Sequence, residues 1–212
     1  AHLAVYTEDI IAKGASDWGI VGVDTISTAV RDALKPQDCL YTLLSRDNGN
    51  DSLRVVGSII DVMISSDQRR EIFELMCTPE IRIVTLTVTE KGYCQDAATG
   101  LLDEQHPAVI ADLANPTEPN SIPGFLTEAL RLRKQAGHPP FTVLVCDNLA
   151  QNGTKVHRLV SRFAELRDAD LGQFIRDNVS FPCTMVDRKP APPVSGVRWK
   201  AIAWRSVAEN CQ

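Results

Sequence analysis

Residues 81–93 read Ile-Arg-Ile-Val-Thr-Leu-Thr-Val-Thr-Glu-Lys-Gly-Tyr. The first eight form an apolar run in which Ile83, Val84, Leu86 and Val88 dominate, which predicts a buried β-strand. The run ends in a polar loop, Thr89 to Tyr93. Working outward, Asp67 to Cys77 reads as a helix with Ile72, Phe73, Leu75 and Met76 on its apolar side. Downstream, His106 to Leu113 and Gly124 to Ala136 read as helices, the second closed by Gly137 and Pro139-Pro140. Phe141 to Val145 is a further apolar strand, ending in Cys146-Asp147-Asn148-Leu149. Thr154 to Leu166 and Asp170 to Asp177 read as helices, and Val179 to Val186 as a last strand, broken by Pro182 and ending at Asp187-Arg188.

The front of the chain repeats the alternation. Ala4, Val5, Ile10 and Ile11 lie on one helical stripe. Gly19 to Val23 suits a buried parallel strand, and Thr25 to Leu34 a helix stopped by Pro36. Tyr41 to Leu44 and Leu53 to Ile60 flank Asp47-Asn48-Gly49-Asn50-Asp51, a strong hairpin signal because Asn-Gly tolerates positive φ. Strand and helix at this spacing mean an α/β fold: a Rossmann-like, mostly parallel sheet with helices on both faces and an inserted antiparallel hairpin. The chain opens on Ala1 as though in mid-helix, with no capping residue, so it reads as part of something longer whose first strand is missing. The expected layout is a partial dinucleotide-binding domain over 1–188, then a Pro-rich linker and short tail over 189–212. Trp199, Ala203 and Val207 fall on one side of a helix in that tail, leaving it to pack on the domain or on a partner chain.

Composition bounds the function. The 212 residues carry 22 Lys+Arg against 27 Asp+Glu, a formal net charge of -5, with 44% apolar and 23% charged residues. That balance is ordinary for a globular protein. A chain this long buries roughly 70% of its unfolded surface, enough for a core without disulfides or metals. The acidic balance argues against a general nucleic-acid binder, and no apolar run approaches a membrane span. The 6 cysteines are scattered with no C-x-x-C pair, as reduced thiols in a cytoplasmic protein would be. The histidines show no metal spacing, and no G-x-S-x-G elbow supports a hydrolase. Arg131, Arg133 and Lys134 read as a solvated helix face.

In open parallel sheets, ligands bind outside the carboxyl ends of the strands. Here those ends are Val23-Asp24, Thr89-Glu90-Lys91, Asp147-Asn148 and Asp187-Arg188. The bland reading of any one such Asp or Asn is a helix cap; four strands ending alike favour a site. An acid at the end of a second Rossmann strand, as Asp24 is, accepts hydrogen bonds from an adenosine ribose and repels the NADP phosphate. No G-x-G-x-x-G loop occurs in the 212 residues.

Several motifs together carry a resemblance. They are Thr87-Val88-Thr89-Glu90-Lys91-Gly92-Tyr93, Cys146-Asp147-Asn148-Leu149 with Asn152-Gly153, and Phe181-Pro182 with Met185-Val186-Asp187-Arg188. Shorter matches include Asp17-Trp18, Arg54-Val55-Val56-Gly57-Ser58 and Pro140-Phe141-Thr142-Val143. From Ala1 to about Arg188 the chain resembles the N-terminal domain of the long-chain mannitol dehydrogenase family, which includes mannitol 2-dehydrogenase and the hexuronate reductases. The resemblance implies metal-free, NAD-dependent interconversion of a polyol or hexonate with a ketose or keto-hexuronate. A Rossmann-type domain and a helical C-terminal domain would share the active site, the latter supplying a lysine base. It implies that Asn148 helps hold the reacting oxygen, that Asp187 lines the site near the nicotinamide, and that Thr89 and Glu90 lie beside the cofactor.

Three departures qualify the match. The family's G-x-G-x-F-H-R loop would end just before Ala1-His2, and neither Lys189 nor Lys200 sits in the family's lysine motif. Asp24 is followed by Thr25-Ile26-Ser27-Thr28 and not by a second acid. The expectation is thus a dehydrogenase domain inactive on its own; the other reading is a non-catalytic binding or subunit-like protein derived from such a domain.

Overall fold

The structure is a computed structural model that describes residues 2–14, 17–25, 27–47, 50–88, 90–185 and 201–206. The chain divides into two compact units, residues 1–68 with 193–212, and residues 69–192.

In the first unit, α1 (His2–Ala12) lays Ala4 and Thr7 inward. β1 (Trp18–Asp24) is buried from Gly19 onward. Such two-sided burial is what a run of Ile and Val in a parallel strand predicts. The helix expected from Thr25 starts later, as α2 (Ala29–Leu34), and Pro36 turns its end into a 3-10 turn over Lys35–Gln37. β2 (Tyr41–Asp47) and β3 (Asn50–Val56) form the expected antiparallel hairpin, with Leu44 opposite Leu53. The sequence reading ran one strand from Leu53 to Ile60, but the chain breaks at Gly57-Ser58. There α1 intervenes: the Glu8 carboxylate accepts from Gly57 N–H at 2.8 Å, and Ser58 Oγ donates to Ala4 O at 2.7 Å. β4 (Ile59–Ile64) then runs parallel to β1, Asp24 level with Ile64. Ala4, Ile20, Val30, Leu34, Val56, Ile59 and Val62 pack into this unit's core.

The second unit holds α3 (Arg69–Cys77), β5 (Ile81–Leu86), a 3-10 turn over Glu90–Tyr93, α4 (Pro107–Ala114), α5 (Ile122–Gln135), β6 (Thr142–Val145), α6 (Asn152–Arg167) and α7 (Ala169–Asn178). β5 and β6 pair in parallel, Leu86 opposite Val145, so both strands deliver their carboxyl ends to one edge. The helices carry side-chain caps where the sequence supplies them: Ser121 Oγ accepts from Gly124 N–H, and Asp168 Oδ1 from Leu171 N–H. His106 caps α4 through Nδ1.

The helix face read as solvated needs correction. Arg133 is 1% exposed and donates to Met76 O, Thr78 O and Pro139 O at 2.8, 2.6 and 2.8 Å. Arg131 and Arg167 both pair with Glu128, itself 3% exposed. Only Lys134 of the three stays exposed, over the Phe174 ring.

Two further expectations fail. Val179 to Met185 forms no regular strand; it makes one ladder-like bond, Val143 N–H to Ser180 O at 2.9 Å. The tail, expected to be helical, returns to the first unit as β7 (Ala201–Ser206), antiparallel to β1 with Trp18 opposite Ser206 and Val23 opposite Ala201. β1 is therefore paired on both of its edges.

Candidate functional site

Asp24 closes β1 in the first unit and is 6% exposed. Its Oδ1 accepts from Ser27 N–H at 3.1 Å, and its carbonyl accepts from Ser65 N–H at 2.9 Å, which levels the ends of β1 and β4. The carboxylate thus sits at the strand end where a ribose diol is expected.

In the second unit the parallel pairing of β5 with β6 continues past Val145 through Cys146 N–H to Leu86 O at 2.8 Å. The next residue, Asp147, reaches across to the other strand's loop. Its carboxylate accepts from the Tyr93 hydroxyl and from the Val88 backbone N–H. Tyr93 is fully buried at the end of the 3-10 turn, and Gly92 packs closely there: a Cβ on it would lie 3.3 Å from Val88 Cβ. Burial pushes the Asp147 carboxyl up to about 6, with the Tyr93 and Val88 bonds restraining the rise. Burial, then the Asp147 charge, drives the Tyr93 phenol far above its ordinary value, and burial lifts the Cys146 thiol to about 11.

Asn148 follows in the turn, exposed, its side chain without a hydrogen-bond partner among the described residues. Among the described residues nothing occupies its amide hydrogens, and its exposure leaves them within reach of a ligand oxygen. The turn beneath it is held by Asn152, 1% exposed at the start of α6. Asn152 Nδ2 lies 3.1 Å from Val145 O, 3.0 Å from Asp147 O and 3.1 Å from Thr184 O, while Oδ1 accepts from Thr184 N–H at 3.0 Å. One amide side chain therefore fastens the β6 end to the segment that leads towards Asp187. Gly153 completes the contact: a Cβ there would meet Phe181 O at 2.3 Å and Pro182 C at 2.6 Å. The sequence reading quoted Asn152 and Gly153 only as parts of a motif, and missed Asp147 and Tyr93 as a bonded pair.

Of the predicted site residues, Asn148 and the Thr87–Tyr93 loop are brought together, through Asp147. Glu90 opens the 3-10 turn in that loop. Thr89 and Asp187 lie outside the described residues, and Asp24 belongs to the other unit. A cavity of about 320 Å³ in the second unit opens between α6, α7 and residues 101–104, and is lined by none of these residues. Among the described residues no group of His, Cys, Asp and Glu is placed to hold a metal, and no helix is long and apolar enough to cross a membrane.

Residues 1–198 match the family described as the mannitol dehydrogenase Rossmann domain. The D-mannonate oxidoreductase of Escherichia coli is 43% identical over 192 residues, 89% of this chain and 40% of that protein. The polyol:NADP oxidoreductase of Gluconobacter oxydans is 39% identical over 193 residues, 89% of this chain and 40% of that protein. The structure of Pseudomonas fluorescens mannitol 2-dehydrogenase in a ternary complex with NAD and D-mannitol superposes with a TM-score of 0.80 at 39% identity, over 84% of this chain and 37% of that one. The chain spans about two-fifths of the length of these relatives.

Proposed function

Because the chain belongs to the mannitol dehydrogenase family, we propose that it is the cofactor-binding part of an NAD-dependent oxidoreductase acting on a polyol or hexonate. The reaction class is interconversion of a secondary alcohol with its ketose or keto-hexuronate. The bound nicotinamide supplies the hydride acceptor. Asp24 takes the adenosine ribose, its charge disfavouring the extra phosphate of NADP. The Thr89–Glu90 strand end lies beside the cofactor. Asn148 donates to the alcohol oxygen as it becomes alkoxide-like, a preorganised donor that strengthens its bond as charge develops. Asp187 lines the same site.

The observation that carries the reading is the exposed Asn148 amide, without a partner among the described residues, beside a turn fastened by Asp147 and by Asn152. Catalytic donors need that rigidity, since a loose donor gives back in reorganisation what it gains in charge stabilisation. The test is NADH formation with D-mannitol and with D-mannonate by the whole enzyme of which this domain is the cofactor-binding part. Asn148→Ala is expected to lower kcat by about 100-fold with little change in KM, the signature of a contact made chiefly in the transition state. A KM effect with kcat intact would remove Asn148 from this role.

One observation favours a second reading. In a dinucleotide fold the second strand lies between the third and a parallel first strand; here the corresponding edge of β1 is taken by antiparallel β7. A chain in which that arrangement persists acts as a non-catalytic binding or subunit-like protein. Failure to bind NAD, together with a stable complex with another chain, would select it.

A further inference from the structure

We propose that Asp147 is the positioning residue of this site, a carboxylate clamp that fixes the Asn148 turn against the Thr87–Tyr93 loop. The inference rests on the reading above for what Asn148 and the loop do, and on geometry for the clamp itself.

Four bonds define it. The carboxylate receives the Tyr93 hydroxyl and the Val88 N–H, both from the loop after β5. The carbonyl of the same residue receives Asn152 Nδ2 at 3.0 Å and Leu149 N–H at 2.8 Å, both from the chain after β6. Asp147 is therefore the residue at which the two strand ends are joined, and Asn148 is its immediate neighbour. A bland alternative is a core hydrogen bond that only stabilises. An ionisable carboxylate is a poor choice for that purpose, because burying it costs more than a neutral acceptor would. A charged acceptor instead makes shorter and stronger bonds, roughly twice those of a neutral one, which suits a clamp.

The clamp has a proton-dependent strength. Ionised Asp147 accepts from both loop donors; the protonated carboxyl keeps one good acceptor and carries a hydrogen that competes for the other bond. Among the described residues the titratable groups that act on Asp147 are Tyr93 and, through Tyr93 and the adjacent β6 end, Cys146; both stay neutral through the acid-to-neutral range. A transition near pH 6 in this turn therefore belongs to Asp147.

The experiment follows the Asn148 side-chain amide and the Gly92 and Leu149 backbone amides by heteronuclear NMR from about pH 4 to about pH 8, with NAD affinity measured by calorimetry on the same samples. All three amides are expected to titrate together with a midpoint of about 6. Asp147→Asn is expected to abolish the transition. Tyr93→Phe removes a bond that holds the carboxyl down, so it should raise the midpoint by about half a unit to one unit. It also covers the case in which Asp147→Asn does not fold. NAD affinity is expected to fall several-fold as the clamp protonates. Absence of the common transition, or its survival in Asp147→Asn, overturns the clamp. A clamp that titrates as expected in a chain with no affinity for NAD upholds the positioning of the turn and overturns the function assigned to it.

Discussion

Glu128 and Asp147 are both removed from water, and their surroundings send them in opposite directions. Burial alone would raise Glu128, but the Arg131 and Arg167 guanidinium groups outweigh it and hold the carboxyl below its ordinary value. Its contribution is therefore fully present above the unfolded pKa and is lost as pH falls through the lower folded one. Asp147 is raised instead, so its ionisation costs stability as pH climbs towards about 6. The first is a structural ion pair; the second keeps a strained charge where chemistry is proposed. Glu128→Gln leaves Arg167, 13% exposed in its side chain, without its anionic partner. We expect a loss of about 3 kcal/mol in urea denaturation at neutral pH, shrinking in acid. A loss of equal size at both pH values would contradict the sign worked out here.

At the scale of elements, the sequence revealed most where burial is symmetric and local. The Ile and Val runs of β1 and β5 are apolar whichever neighbour covers them, so pattern alone identifies them, and the Asn-Gly pair in the sequence signals the hairpin of β2 with β3. What stayed hidden depends on partners distant in the chain. The break at Gly57-Ser58 exists because α1 supplies Glu8 and Ala4 as bonding partners. Arg133 looks solvated until Met76, Thr78 and Pro139 surround it with carbonyls. The segment after Val179 has a strand's composition, yet Pro182 removes a donor and Asn152 satisfies Thr184 in place of a ladder. The place of Asn148 just after a strand was legible, whereas the Tyr93–Asp147 bond joins residues 54 apart in sequence and has no local signal. Gly153 is the sharpest test of that packing. Gly153→Ala puts a methyl group against the Phe181 and Pro182 backbone, which has no flexible end to yield. A destabilisation of about 2 kcal/mol or more is expected in thermal or chemical unfolding; a neutral result would mean that residues 181–184 are held elsewhere.

For the molecule as a whole, the tail has the largest consequence. β7 covers an edge of β1 that would otherwise present unpaired N–H and C=O groups. Deleting residues 199–212 is expected to speed amide hydrogen exchange across Trp18–Asp24 by about tenfold or more and to cause concentration-dependent association in light scattering. Unchanged exchange there would show that β7 contributes nothing to β1. Each unit, taken by itself, ends a strand in a side chain to which a role has been proposed: Asp24 closes β1 in the first, and Asp147 and Asn148 follow β6 in the second.

The central claim is that these strand ends serve a nicotinamide cofactor. Calorimetric titration of the chain with NAD and with NADP, in wild type and in Asp24→Ala, tests it most directly. The account predicts that NAD binds at least about tenfold more tightly than NADP, and that losing the Asp24 carboxylate erases the preference. Equal affinity for the two, or a preference that survives Asp24→Ala, would contradict it.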